Sequence, residues 1–97
     1  GKLAENLVFV ELKRRGKEIY YWENKGEVDF VIKEGSRLSG INICYSDNVN
    51  EREISSLNEF KKEVGEKVRN VLIITKDVEK KEKGIEFIPL WKWLLTE

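Results

Sequence analysis

Ninety-seven residues are enough for one small core and not for two. Hydrophobic residues make up 40% and charged residues 37%, which excludes a disordered tail, and no apolar run approaches the ~20 residues of a membrane span. Lys+Arg and Asp+Glu balance at 18 each, which argues against a coat protein for nucleic acid while leaving room for a local basic patch. The single cysteine excludes an internal disulfide and fits a reducing, cytoplasmic interior. With no His, the usual general base and the commonest metal ligand are missing, so any catalysis has to run on carboxylates, lysines or the one thiol. The lack of Met implies a start inside a longer polypeptide. The abundance of Lys and Glu over Gln and His resembles thermophile composition, although seven asparagines count against it.

The first helix is expected over Lys2–Arg15. Leu3, Leu7, Val8 and Leu12 fall on one stripe, widened by Ala4 and Val10. Lys13, Arg14 and Arg15 suit the negative end of its dipole, and Gly16 suits a left-handed cap. Position 1 supplies no capping side chain. Glu18–Glu23 (EIYYWE) is a strand, and Asn24-Lys25-Gly26 is a turn. The central stretch EVDFVIKEGSRLSGINICY then forms a strand pair across a Gly/Ser loop. Alternation places Asp29 with Glu27, Val31 and Lys33, against Val28, Phe30 and Ile32 on the other face. In the second run Asn42 and Cys44 share a face opposite Ile41, Ile43 and Tyr45, so Asp29, Asn42 and Cys44 are expected side by side.

Asn50 opens a second helix as its cap. Glu53 is placed to close a capping box, Val49 to staple on Ile54, and Ile54, Leu57, Phe60 and Val64 form the buried stripe. Asn70–Thr75 is a strand buried on both faces, Lys76–Lys83 a charged loop, Gly84–Ile88 a short strand. Pro89 starts a terminal helix carrying Leu90, Trp91, Trp93, Leu94 and Leu95. The order is helix, three-strand meander, helix, strand, short strand, helix. It predicts an α/β domain with a mixed sheet and a right-handed crossover.

This order, with an acid in the second strand and an alternate-residue pair in the third, resembles the PD-(D/E)XK nuclease superfamily and its restriction-endonuclease-like core. More narrowly, GKLAENLVFVELKRRG, YYWENKGEVDFVI and INICYS resemble the C-terminal domain of a family of archaeal AAA-type ATPases. The resemblance implies that Glu5 matches a helix acid and Asp29 a strand acid, both ligands for magnesium if the site is live. Asn42 stands where a second strand acid belongs and Cys44 where a lysine belongs. Magnesium requires hard anionic oxygen, which neither residue offers. Lys33 is the candidate for a relocated lysine, and Lys13, Arg14 and Arg15 for a nucleic-acid contact.

Each residue also has a plainer role open to it. Glu5 suits the positive end of a helix dipole, and Cys44 a small buried hydrophobe. Trp91 and Trp93 suit packing, and the basic run a solvated helix end. The expected function is that of a degenerate, non-catalytic accessory domain of an upstream ATPase in the same chain, binding DNA, other nucleic acid or a partner protein without a cofactor. The alternatives are a metal-dependent nuclease and a structural or oligomerisation module.

Overall fold

A computed structural model describes residues 2–96. Helix α1 (Lys2–Arg14) is followed by strands β1 (Glu18–Glu23), β2 (Glu27–Glu34) and β3 (Arg37–Cys44). Helix α2 (Glu51–Val64) and a 3-10 turn (Gly65–Lys67) lead to β4 (Val68–Thr75). Strands β5 (Lys80–Glu82) and β6 (Ile85–Pro89) and helix α3 (Leu90–Leu94) complete the chain. The sheet order is β1-β2-β3-β4-β6-β5. The first three strands run antiparallel, β3-β4 and β4-β6 are parallel, and β5 pairs antiparallel at the far edge. The fold is therefore α/β with a mixed sheet. One expectation is corrected: Lys76–Lys83 is not all loop. Lys80–Glu82 pairs with β6, because an edge strand needs only one partner and tolerates charge on its free side.

Helix α1 ends as its residues dictate. Gly16 adopts φ +74°, its N–H donates to the Lys13 carbonyl, and the Lys17 N–H donates to that of Leu12. This is the six-to-one closure that favours glycine. The buried stripe differs from the periodic reading. Ala4, Val8 and Leu12 face the sheet, while Leu3, Leu7 and Val10 lie outside, at 74%, 43% and 64% exposure. A helix with two apolar stripes can bury only one against a single sheet face.

The sheet carries a core on each side. On the α1/α3 side, Ala4, Val8, Leu12 and Trp93 pack on Ile32, Ile41, Ile43 and Ile74. On the α2 side, Leu57 and Phe60 pack on Val28, Val31, Val71, Ile73 and Phe87. Strand β4 lies between β3 and β6 and contributes to both cores, so its apolar run needs no polar face. Glu63 near the foot of α2 ties down the first hairpin by accepting hydrogen bonds from Trp22 Nε1 (3.0 Å) and Asn24 Nδ2.

Val28 breaks strict alternation. It shares the α2-side core with Val31, while Phe30 and Ile32 pack on the other face. The β1–β2 register slips between Tyr20 and Trp22, which inserts an extra residue on β2 at Asp29 and Phe30. The expected grouping of Asp29 with Val31 and Lys33, and of Val28 with Phe30, is corrected accordingly.

Candidate functional site: an acidic cleft at the open end of the β2–β3 pair

The β2–β3 pairing extends from Glu34–Arg37 up to Phe30–Ile41 and goes no further. Beyond it, side chains replace the ladder. The Asp29 N–H donates to Asn42 Oδ1 (2.8 Å), and the Ile43 N–H donates to Asp29 Oδ2 (2.9 Å). Mid-strand Asp29 thus serves as a backbone substitute where the β2–β3 ladder ends. This satisfies an N–H that burial would otherwise orphan.

Asn42 is fully buried. Besides accepting from Asp29, its Nδ2 donates to the carbonyls of Glu27 and Glu53, each at 3.2 Å. One amide thereby joins β2, β3 and the first turn of α2. Cys44 is buried in the α2-side core, and its Sγ accepts the Asn50 N–H at 3.5 Å. Sequence spacing had reserved that N–H for a Glu53 capping box. Asn50 does cap α2, its Oδ1 accepting from the Arg52 N–H at 2.8 Å, but with the thiol on its own N–H the Glu53 carboxylate turns elsewhere.

Glu53 turns into a cleft of about 540 Å³. The cleft is lined by Glu5 from α1, Gly26, Glu27 and Asp29 from the hairpin, Arg52, Glu53, Ser56 and Glu59 from α2, and Lys25. Five carboxylates face two cations there. Burial, then the nearby Glu5 and Glu27, raises the Asp29 carboxyl above its ordinary range, against the opposing pull of the Ile43 N–H. Burial first and the Asp29 charge next raise Glu53. These two groups lose stability as they ionise. Their contribution is complete below the unfolded values of 3.8 and 4.5, and it falls as pH rises through the higher folded values. Glu53→Gln is therefore expected to raise the urea midpoint at pH 7, with the gain shrinking towards pH 4. An equal gain at both pH values would assign it to packing instead.

The sequence candidates thus divide. Glu5 and Asp29 both line the cleft. Asn42 is adjacent but sealed, and Cys44 lies in the core. Lys33 does not line the cleft: it pairs with Glu18 and Leu38 four residues along β2, ~13 Å from Asp29 at strand rise. The cations that do line it, Lys25 and Arg52, were not singled out, nor was Glu53, whose spacing from Asn50 fitted a cap equally well. The donors do not fit the magnesium ion implied by the resemblance. Asn42 presents no accessible oxygen, one Asp29 oxygen is held by a backbone N–H, and among the described residues no three Asp, Glu, His or Cys side chains are grouped to hold a metal ion.

The basic run at the end of α1 is also not a free patch. Arg14 donates to both Glu11 oxygens at 2.9 and 2.6 Å, and Arg15 Nε to Glu11 at 2.7 Å. Both hold the Glu11 carboxyl down at about 2. Arg15 further donates to the Trp93 and Thr96 carbonyls (3.2 and 2.7 Å) and stacks over the Trp93 ring at 4.6 Å, clasping α3 to α1. Reversing all three charges would therefore test α3 docking as much as binding, and Lys13→Glu alone is the clean probe.

With this geometry, comparison with known proteins places the chain in a family: it belongs to DUF4143, described as a domain of unknown function, with residues 1–93 matched. It is also similar to the uncharacterized protein MJ1544 of the archaeon Methanocaldococcus jannaschii, with 39% identity over 111 aligned residues that cover 99% of this chain. The chain spans about a quarter of the length of that curated relative. No helix among the described residues is long and apolar enough to cross a membrane.

Proposed function

We propose that this domain is a nuclease-like scaffold that has lost its chemistry and serves a larger ATPase as an accessory module working through protein contacts. The observation that carries this reading is Asn42. Where the superfamily pattern requires a metal-binding acid, this chain has an amide that is fully buried and bonded to three backbone groups. Cys44, in the lysine position, is consumed as a helix-cap acceptor. The element order and the run β1-β2-β3-β4, with β4 parallel to β3, support descent from the restriction-endonuclease-like core. Attachment to an ATPase is supported by family membership, since domains of this family typically follow an AAA ATPase-like module, and by the fourfold greater length of the archaeal relative.

Protein is favoured over nucleic acid as the partner. The cleft's five carboxylates against two cations repel a phosphate backbone, and two of the three cations at the end of α1 are engaged within the domain. The test is incubation of the chain with plasmid and single-stranded substrates in magnesium or manganese, for which no cleavage is expected. Phosphodiester hydrolysis needs a positioned metal and an activated water, and neither is provided for. Metal-dependent nicking that disappears in Asp29→Ala would overturn the reading. It would favour the second one, a nuclease whose cation has moved to Lys25 or Arg52, the two that line the cleft beside Asp29.

A further inference from the structure

The two edges of the sheet are built differently. Strand β5 closes one edge with three residues, Lys80, Lys81 and Glu82, all charged and exposed. Short length and lysines protect an edge against pairing with a further strand. Strand β1 closes the other edge with six residues, EIYYWE, and has neither a lysine nor a proline. The register slip beside it does not interrupt it, because the extra residue sits on β2. Its one neighbour in the sheet is β2, so alternate residues of β1 direct their N–H and C=O groups away from the sheet, with no strand to receive them. Tyr20 and Tyr21, 49% and 57% exposed, stand on the two faces of that edge.

We infer that β1 is a self-association edge, pairing antiparallel with β1 of a second copy of this chain and joining the two sheets. The strand's own residues select the partner and the register. A two-fold axis normal to the sheet keeps like faces together, so a residue of β1 opposes one on the same face. With the axis at Tyr20, Ile19 opposes Tyr21 and Lys17 opposes Glu23, each pair occurring twice. Aromatic against β-branched, and opposite charges directly across, are favourable cross-strand pairs. Glu23 has no ion pair among the described residues, so it is open to a partner. Lys17 is bound to Glu34 at 2.6 Å, and its ammonium has further N–H donors to offer. Arg15, which this register would bring towards Lys25, is turned onto the α3 carbonyls. With the axis at Tyr21 instead, Lys17 would oppose Lys25 and Glu23 would oppose Ile19, and neither pair is favourable. The 18 basic and 18 acidic residues leave no net charge to hold two copies apart. The inference stands apart from the accessory role proposed above.

Sedimentation of the chain over a range of concentrations is the test. A dimer fraction that rises with concentration is expected, with the β1 amides gaining protection from hydrogen exchange as it forms and those of β5 unchanged. Lys17→Glu and Glu23→Lys each make both charge pairs repulsive, and each is expected to weaken the dimer about tenfold. An equimolar mixture of these two variants should dimerise again, because every charge pair across the edge is then of opposite sign. Lys81→Glu and Glu82→Lys, the same charge changes on the other edge, should leave dimerisation as in the parent. A chain that stays monomeric up to ~1 mM would overturn the inference. So would a dimer indifferent to the changes at Lys17 and Glu23, or one weakened as much by those at Lys81 and Glu82. If a variant fails to fold, the sedimentation and exchange of the unsubstituted chain still decide the matter. Nuclease activity would remove the non-catalytic reading without altering any of these results, so the two claims fail separately.

Discussion

Asn42→Ala is expected to destabilise the domain by about 2–4 kcal/mol, read as a shift in the urea midpoint. The substitution removes one acceptor and two donors from a fully buried position, so the Asp29 N–H loses its acceptor and the Glu27 and Glu53 carbonyls each lose a donor. A net loss of ~1 kcal/mol per neutral hydrogen bond, plus the desolvation of groups left bare, sets this range. Asn42→Asp, the change that restores the superfamily acid, is the sharper experiment. One carboxylate oxygen can still accept from Asp29, but the other would face two carbonyls that had received N–H donors. The new carboxyl should therefore be held above its usual range. The variant would then be most stable below the unfolded aspartate value, losing stability as pH rises through the folded one. Asn42→Glu with Cys44→Lys, which completes the nuclease pattern on paper, buries two charges in a packed surface and is expected to cost several kcal/mol more. An Asn42→Ala variant within ~0.5 kcal/mol of the parent would show that these bonds do not hold β2, β3 and α2 together.

Gly26→Ala is expected to cost about 1–3 kcal/mol by overpacking, and to disturb the cleft while doing so. A Cβ at Gly26 would fall on Ser56 Oγ and lie 3.0 Å from the Ser56 Cα, so the hairpin turn and α2 are in backbone contact there. The same approach lets the Glu27 N–H donate to Ser56 Oγ at 3.2 Å. Relief would require α2 to move outward, and with it Glu53 and Ser56, both of which line the cleft. Pairing the substitution with Ser56→Gly removes the hydroxyl clash but not the contact with the helix backbone, so partial recovery is expected. Full recovery would locate the whole constraint in the Ser56 side chain, and a neutral single variant would mean that the turn can ride away from α2 at no cost.

Local chemistry was sufficient for much of this molecule. The Gly16 closure of α1, the Asn50 cap of α2, the hairpin at Asn24–Gly26 and the continuous apolar run of β4 each depend on residues within a few positions of one another, so they are legible in the chain. The periodic reading also placed Ile41 and Ile43 on one side of β3 with Asn42 and Cys44 on the other, because the β3–β4 pairing runs unbroken through those four residues. What failed was whatever depended on a second element. Parity at Asp29 was lost to a bulge that exists only in the pairing with β1, so no pattern within EVDFVIKE reveals it. Two helix N-terminal partners were available for the Asn50 N–H, and spacing favoured Glu53. The thiol of Cys44 takes it because the end of β3 is packed against the start of α2, which frees Glu53 for the cleft.

The surface was decided the same way. Leu3, Leu7 and Val10 carry a periodicity as clear as that of Ala4, Val8 and Leu12, yet the sheet accepts only the second set. Glu11 lies within one helical turn of Arg14 and Arg15, but Arg15 still looks like part of a solvated basic end until the carbonyls of Trp93 and Thr96 are brought to it. Hydrophobic period, caps and turns act over one or two helical turns of chain, and the sequence by itself determined them. Which of two apolar stripes is covered, which donor reaches a shared acceptor and which carboxylates share a cleft depend on contacts between residues far apart in the chain, and those only the tertiary structure decided.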